Sequence, residues 1–119
     1  MQVMKKNSFN DGVVGIYKEL PTLMNTDFNA KRNAKTIKDF QLITSLFYTE
    51  LSARNEDFLF AEAMNRKLTM KIKTPLVNTI EPNYKALINN RMYDIIKIDP
   101  NRMNKELYIY LEGGQKIEK

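Results

Sequence analysis

The chain has 119 residues, enough for one domain with a modest core, and its 43% hydrophobic and 28% charged residues are ordinary for a globular protein. It contains no cysteine and no histidine, which excludes disulfides, zinc sites of the usual Cys/His kind and the commonest general base. The net charge is +5: residues 1–38 contribute +4 (seven Lys/Arg against three Asp/Glu) and residues 39–119 contribute +1 (twelve against eleven).

The N-terminal third predicts a short strand followed by a long loop. An Asp-Gly turn leads into a strand over residues 12–18, which Pro21 ends. Residues 21–35 are polar and rich in asparagine, so we predict an exposed loop of a length that is often functional. The basic cluster consists of Lys31, Arg32, Lys35 and Lys38. It is a candidate contact for phosphate or for an acidic protein partner, although charge alone favours a merely solvated loop.

Residues 36–52 predict a second, longer strand, because β-branched and aromatic residues are frequent there. The alternation of apolar residues changes parity near Ile43, so we expect a bend or a bulge in the middle of this strand. A helix over the same residues is the competing prediction, and the β-branched content argues against it.

One short helix is predicted over residues 56–64, with Asn55 as its N-cap and acidic residues in its first turn. Arg54 and Asp57 mark the start of this helix. Its apolar stripe, expected to pack on a sheet, consists of Phe58, Ala61 and Met64, with Leu59 as a further candidate. Asn65 suits the left-handed residue that follows a helix.

Four further strands are predicted over residues 67–74, 84–88, 92–99 and 106–112. In the first of them Leu68, Met70 and Ile72 should face inward, and Thr69, Lys71 and Lys73 outward. Asn89-Asn90 predicts a tight hairpin turn. Pro75 and Pro100 are expected to end their strands, and Leu107, Ile109 and Leu111 should share one face of the last strand.

These elements predict a mainly β (α+β) fold: a small antiparallel β-barrel of about six strands, with one short α-helix and long loops. We expect a single domain over residues 1–119, with residues 1–10 and 113–119 as flexible tails. No apolar run approaches the roughly 20 residues that span a bilayer, so a soluble protein kept inside a cell, or inside something assembled there, is expected.

The residue types predict no enzyme, no cofactor and no metal site. The acidic residues are scattered, and the four glycines form no phosphate-binding loop. An alternative function is a single-stranded nucleic-acid-binding module, in which aromatic side chains stack on bases beside basic residues. The candidate stacking residues are Tyr84, Tyr93, Tyr108 and Tyr110, and the candidate cations are Lys67, Lys71 and Lys73. Packing tyrosines and a solvent-facing lysine row are the competing interpretation.

Several segments, in this order and spacing, resemble the head-closure proteins of tailed bacteriophages, also called head–tail joining or stopper proteins. The segments are DGVV at 11–14, IYK at 16–18, FYTE at 47–50 followed by Arg54, Asp57 and Ala61, LTMKIKTP at 68–75, YDIIKID at 93–99 and LYIYL at 107–111. They extend over about residues 11–112. Asn65 is a departure, since similar sequences often have glycine there.

The resemblance implies a small β-barrel subunit of the virion, located at the head–tail interface and assembled in the cytoplasm of the bacterial host. Such subunits form a ring of about twelve copies that closes the DNA exit channel beneath the portal–adaptor assembly. The implied partners are the adaptor, a tail or tail-completion protein and the packaged double-stranded DNA, with no membrane. The family's subunits also stay monomeric alone and become ordered on docking. Loops 21–35 and the one after Pro75 are the expected contact segments.

Overall fold

A computed structural model of the protein describes residues 9–21 and 37–117. These residues form six strands and one α-helix, together with a single 3-10 turn at Ile37–Asp39. The strands are β1 (Gly12–Glu19), β2 (Phe40–Leu51), β3 (Met70–Pro75), β4 (Lys85–Ile88), β5 (Arg91–Asn101) and β6 (Glu106–Lys116), and the helix is α1 (Asn55–Ala63).

The six strands form one antiparallel sheet that closes into a barrel in the order β1-β2-β3-β6-β5-β4. Pairing of β1 with β4 completes the closure. This confirms the predicted mainly β fold with a small antiparallel barrel and one short helix. In the described part of the chain, no helix has the length and apolar character needed to cross a bilayer.

Two clusters of buried side chains lie on the two sides of the sheet. The cluster inside the barrel includes Val14, Ile16, Tyr48, Ile72, Ala86, Ile95, Leu107, Ile109 and Leu111. The second lies between α1 and the outer face of the sheet and comprises Ala61, Leu68, Ile96 and Tyr110. The predicted division of the last strand, with Leu107, Ile109 and Leu111 on one face, is therefore confirmed. Leu68 was expected to face inward, but it precedes β3 and packs in the outer cluster.

The bulge expected in the second strand is present at Ile43. Pairing between β1 and β2 passes from Ile16 opposite Thr44 to Tyr17 opposite Leu42, which leaves Ile43 as an extra residue. The bulge shifts the alternation of β2 by one residue. Apolar side chains before and after Ile43 therefore lie on the same faces of the sheet, either packed in the barrel interior or exposed on the outer face.

The predicted hairpin turn between β4 and β5 is also present. Asn89 and Asn90 have φ angles of 50° and 67°, as the two central residues of a type I′ turn require. Asparagine tolerates this left-handed conformation better than most residues.

The expectation that residues 113–119 form a flexible tail is wrong for the part that the structure describes. Gly113 to Lys116 continue β6 and pair with β5, and Ile117 is buried. Gly114 (φ 111°) is the extra residue in this ladder, and a Cβ there would lie 2.8 Å from the Tyr93 ring. Two glycines resemble a strand end in a sequence, but here they supply the backbone conformation of a bulge.

At the other end, residues 1–8 lie outside the described part of the chain, and the Asn10 N–H donates to Thr49 Oγ1 at 3.2 Å. Pro75 ends its strand as expected, since it is the last residue of β3 and pairs with Glu106. Pro100 was also expected to end its strand, but it is the second-to-last residue of β5 and pairs with Leu107. A proline removes one donor, but its fixed φ remains compatible with an extended backbone near a strand end.

Candidate functional site

The basic cluster of the long loop is only partly described. Lys31, Arg32 and Lys35 lie outside the described residues, as does most of the predicted loop 21–35. Lys38 is exposed in the 3-10 turn that precedes β2. The Leu20 N–H donates to the Asp39 carbonyl at 2.9 Å, so the two ends of the connection between β1 and β2 are joined at one end of the barrel.

Arg54 and Asp57 do begin the helix, but the N-cap predicted at Asn55 is wrong. Arg54 occupies the N-cap position with extended backbone angles, and Asn55 is the first helical residue. The Asp57 carboxylate accepts a hydrogen bond from the Arg54 N–H at 2.8 Å. A guanidinium has no acceptor, so this bond from backbone to carboxylate is the part of the capping arrangement that stabilises the helix start.

Asp57 also anchors the helix to the barrel through Lys71 of β3. The Lys71 Nζ donates to Asp57 Oδ2 at 3.0 Å, and both side chains are about nine-tenths buried. Lys71 Nζ further lies 5.2 Å from the centroid of the Tyr110 ring and 5.8 Å from that of Tyr108. Lys71 was expected to face solvent. It does point away from the barrel interior, but α1 covers that part of the outer face.

The pKa of each group in this pair is shifted in the direction that favours its charged form. Burial alone would raise the pKa of Asp57, but the hydrogen bonds from the Arg54 N–H and from Lys71 outweigh it and hold the pKa below its usual range. Burial would lower the pKa of Lys71, and the hydrogen bond to Asp57 together with neighbouring charges raises it instead. The pair therefore fastens the helix start to the sheet as an ion pair.

Two further contacts hold the rest of the helix. Lys97 Nζ of β5 lies 4.4 Å above the Phe60 ring and 5.3 Å from the Tyr110 ring, within the range of cation–π attraction. Beyond the helix, Arg66 Nε forms an ion pair with the Glu112 carboxylate of β6. The hydrogen bond from Arg66 is the main cause that lowers the pKa of Glu112.

Asn65 has φ 60°, which confirms the left-handed residue predicted after the helix.

The tyrosines proposed for base stacking do not form a platform on the surface. Tyr93 and Tyr110 are 7% and 6% exposed, the first in the barrel interior and the second under α1. Tyr84 packs against the interior cluster, and Tyr108 against the outer one. A sequence pattern gives the face of a strand but not the layer that covers it, which explains the error.

The lysines proposed as cations for single-stranded nucleic-acid binding also do not form one continuous exposed row. Lys71 is buried with Asp57, and Lys73 forms an ion pair with Glu106 at 3.4 Å while its Nζ lies 5.6 Å from the Phe9 ring centroid. Lys67 is exposed.

Within residues 9–21 and 37–117, no group of three or more Asp or Glu side chains is arranged to hold a metal ion.

The most conspicuous surface features are two exposed apolar faces. The helix face consists of Phe58, Leu59, Phe60 and Met64, which are between 39% and 63% exposed. Within α1, which lies wholly in the described part of the chain, Ala61 is the buried residue. Phe58 and Met64, which were expected to pack on the sheet beside Ala61, are 46% and 43% exposed, so they are only partly buried at the edges of the contact between helix and barrel.

The second surface, the strand face, consists of Val13, Leu42 and Phe47 on the outer side of β1 and β2, and these residues are 50% to 63% exposed. Val13 lies directly opposite Phe47 in the ladder, and Leu42 lies opposite Tyr17. A Cβ on Gly15 would meet Tyr17 Cε1 at 2.9 Å and Leu42 Cδ1 at 3.7 Å, so these side chains lie over the glycine on the same side of the sheet. The alternation of apolar residues in β1 and β2 indicates an apolar outer face. Only the three-dimensional structure shows that no other described part of the chain covers this face.

Comparison with protein-family models finds no family that matches the chain, and comparison with curated proteins finds no match either.

Proposed function

We propose that this chain is a structural virion protein of a tailed bacteriophage. It forms a ring in the head-to-tail connector, closes the DNA exit channel after packaging and joins the head to the tail. The observation that carries the proposal is the pair of exposed apolar faces on a small closed barrel, because apolar patches of this kind mark protein–protein contact sites.

The helix gives the stronger of the two arguments. α1 packs on the barrel with Ala61, while Leu59 is 63% exposed and Phe58 and Phe60 are 46% and 39% exposed. Exposed aromatic and aliphatic side chains on one short helix are typical of a protein contact site. Its attachment by an ion pair with Lys71 and by the cation–π contact of Lys97 holds that apolar surface in a fixed position. A fixed apolar surface is suited to assembly with other proteins.

The resemblance to head-closure proteins supports the same proposal. Its segments correspond to β1, the end of β2 with the start of α1, β3, β5 and β6, so the shared residues build the barrel and place the helix on it. They are scaffold residues, and the contacts with partners then belong to the exposed faces and the loops.

One of the two loops proposed to contact partners lies within the described residues. In the loop after Pro75, the Leu76 N–H donates to the Lys105 carbonyl at 3.0 Å, and Leu76, Val77 and Ile80 pack against the barrel interior. That loop is fastened to one end of the barrel. The connection 21–35 carries Lys31, Arg32 and Lys35, and these basic residues make it a candidate for contact with the packaged DNA or with the adaptor.

Deletion of the gene from the phage genome tests the proposal. We expect DNA-filled heads that lose DNA or lack tails, together with free tails, seen by negative-stain electron microscopy. A second variant that lacks residues 29–35 should give a folded monomer and the same failure of joining. Normal yields of infectious particles without the protein would contradict the proposed function, and normal yields with the shortened loop would contradict the role of the loop.

A further inference from the structure

We propose that a cleft at one end of the barrel binds a small carboxylate with an apolar body, of the class of medium-chain carboxylic acids. The cleft lies between the loop after Pro75 and the turn that joins β5 to β6. Its volume is about 410 Å³, within the range of about 300–1,000 Å³ that is usual for small-molecule sites. The inference goes beyond the proposed function and does not depend on it.

The walls of the cleft are mostly apolar. The apolar residues that line it are Leu76, Val77, Ile80, Ile98, Pro100 and Leu107. Leu107 is 2% exposed and belongs to the interior cluster of the barrel, and all the others except Pro100 pack against that cluster. The cleft therefore reaches the apolar interior of the barrel, where an apolar ligand is removed from water.

Hydrogen bonds within the backbone hold the two walls in place. The Leu76 N–H donates to the Lys105 carbonyl at 3.0 Å, which joins the loop to the turn. Within the turn, the Lys105 N–H donates to the Arg102 carbonyl at 3.3 Å, and the Asn104 N–H donates to Asn101 Oδ1 at 3.3 Å. A cleft that is formed before the ligand arrives loses little conformational entropy on binding.

The charge at the cleft selects an anion. Among the described residues that line it, Arg102 is the charged one and Asn78 is the other polar one, while Glu81 of the same loop does not line it. Arg102 forms no ion pair within residues 9–21 and 37–117. A guanidinium presents two parallel N–H groups that match the two oxygens of a carboxylate. An apolar wall beside one such cation is suited to a ligand with an apolar body and a carboxylate end.

The volume of the cleft limits the length of the ligand. At about 30 Å³ for each water-sized group, the cleft holds roughly fourteen non-hydrogen atoms. Octanoate lies within this limit, whereas a long-chain fatty acid such as palmitate exceeds it. For a ligand as small as octanoate in an open cleft we expect a Kd that is roughly millimolar.

A chemical-shift titration of the isotope-labelled full-length protein with octanoate tests the site. The largest shifts should occur at the amides of residues 76, 77, 98 and 107, which line the cleft. The neutral analogue 1-octanol should bind up to about fivefold more weakly, since it makes no ion pair with Arg102. Hexanoate, which is two methylene groups shorter, should bind more weakly by on the order of tenfold.

The variant R102Q tests the cation, and the fold should tolerate it because Arg102 is exposed. The affinity for octanoate should fall up to about fivefold, and the affinity for 1-octanol should not change. K105Q is the matched control, since it removes the same charge from the same turn but Lys105 does not line the cleft. It should change the affinity for octanoate by less than about twofold.

The variant V77F tests the apolar part, because a larger side chain at Val77 fills the cleft. Binding of both octanoate and 1-octanol should be lost, and circular dichroism checks that the variant is folded. If V77F does not fold, the comparison of R102Q with K105Q still decides the case.

Three results would overturn the proposal. The first is a set of octanoate shifts spread over the whole surface, and the second is an equal loss of affinity in R102Q and K105Q. The third is binding of a short peptide with a C-terminal leucine carboxylate but not of octanoate, because the cleft would then recognise a protein terminus. None of these measurements involves the joining of heads to tails, so the proposed function is tested separately.

Discussion

The ion pair between Lys71 and Asp57 should contribute more to stability than any exposed pair of the protein. The side chains are 10% and 11% exposed. Removal of one partner leaves the other charge buried without a counter-ion, which costs about 3–5 kcal/mol. We therefore expect K71M to lower the free energy of unfolding by about 3 kcal/mol, which corresponds to a melting temperature lower by roughly 10 °C for a domain of this size.

A double-mutant cycle separates the pair from the helix cap. In D57N the amide oxygen still accepts from the Arg54 N–H, so the substitution removes the charge and keeps the cap. The double variant K71M/D57N should lose less free energy of unfolding than the sum of the losses in K71M and D57N. The difference, which is the coupling free energy, should be about 2 kcal/mol. Urea denaturation followed by circular dichroism measures all four proteins.

The matched control is the ion pair of Lys85 and Asp94, which has a shorter distance of 2.7 Å but side chains that are 26% and 54% exposed. K85M should cost less than about 1 kcal/mol, as exposed pairs do. If K71M were no more destabilising than K85M, the helix would not depend on the buried pair and the reasoning from burial would be refuted.

The remaining predictions concern pH, backbone conformation and DNA. Because the pKa of Asp57 is lowered in the folded state, its contribution is complete above its unfolded-state pKa of about 3.9 and is lost as the pH falls through the folded value; acid unfolding curves of wild type and D57N should converge there. N65A should cost about 1 kcal/mol because of the φ of 60°, while N65G should not. G114A should be more destabilising in urea than G113A, since only the former directs a Cβ into the Tyr93 ring. Single-stranded oligonucleotides should bind weakly in titrations at two salt concentrations; micromolar, strongly salt-dependent binding would favour the alternative function.

The local backbone features were accessible from the sequence because they depend on near neighbours. The break in alternation identified the bulge at Ile43, and asparagines in suitable places identified the left-handed residues at Asn65, Asn89 and Asn90. Each of these signals reflects a conformational preference of the residue itself.

The features that matter for a candidate site depend on which layer covers which face, and alternation does not contain that information. Lys71 was expected to face solvent and Tyr110 was a candidate for base stacking because both alternate with interior residues, but α1 lies over them. The helix itself was expected to bury Phe58 and Met64, whereas its contact with the barrel is through Ala61. Polar and apolar residues are mixed around α1, so its own sequence indicates no clear inner face.

The central claim is that the protein is a ring component of the virion, and quantitative mass spectrometry of purified, DNA-filled particles tests it most directly. The proposal predicts that the protein co-purifies with intact particles at about twelve copies per virion and stays with the head–tail joint when particles are disrupted. Its absence from purified particles, while it accumulates in the infected cell, would contradict the claim.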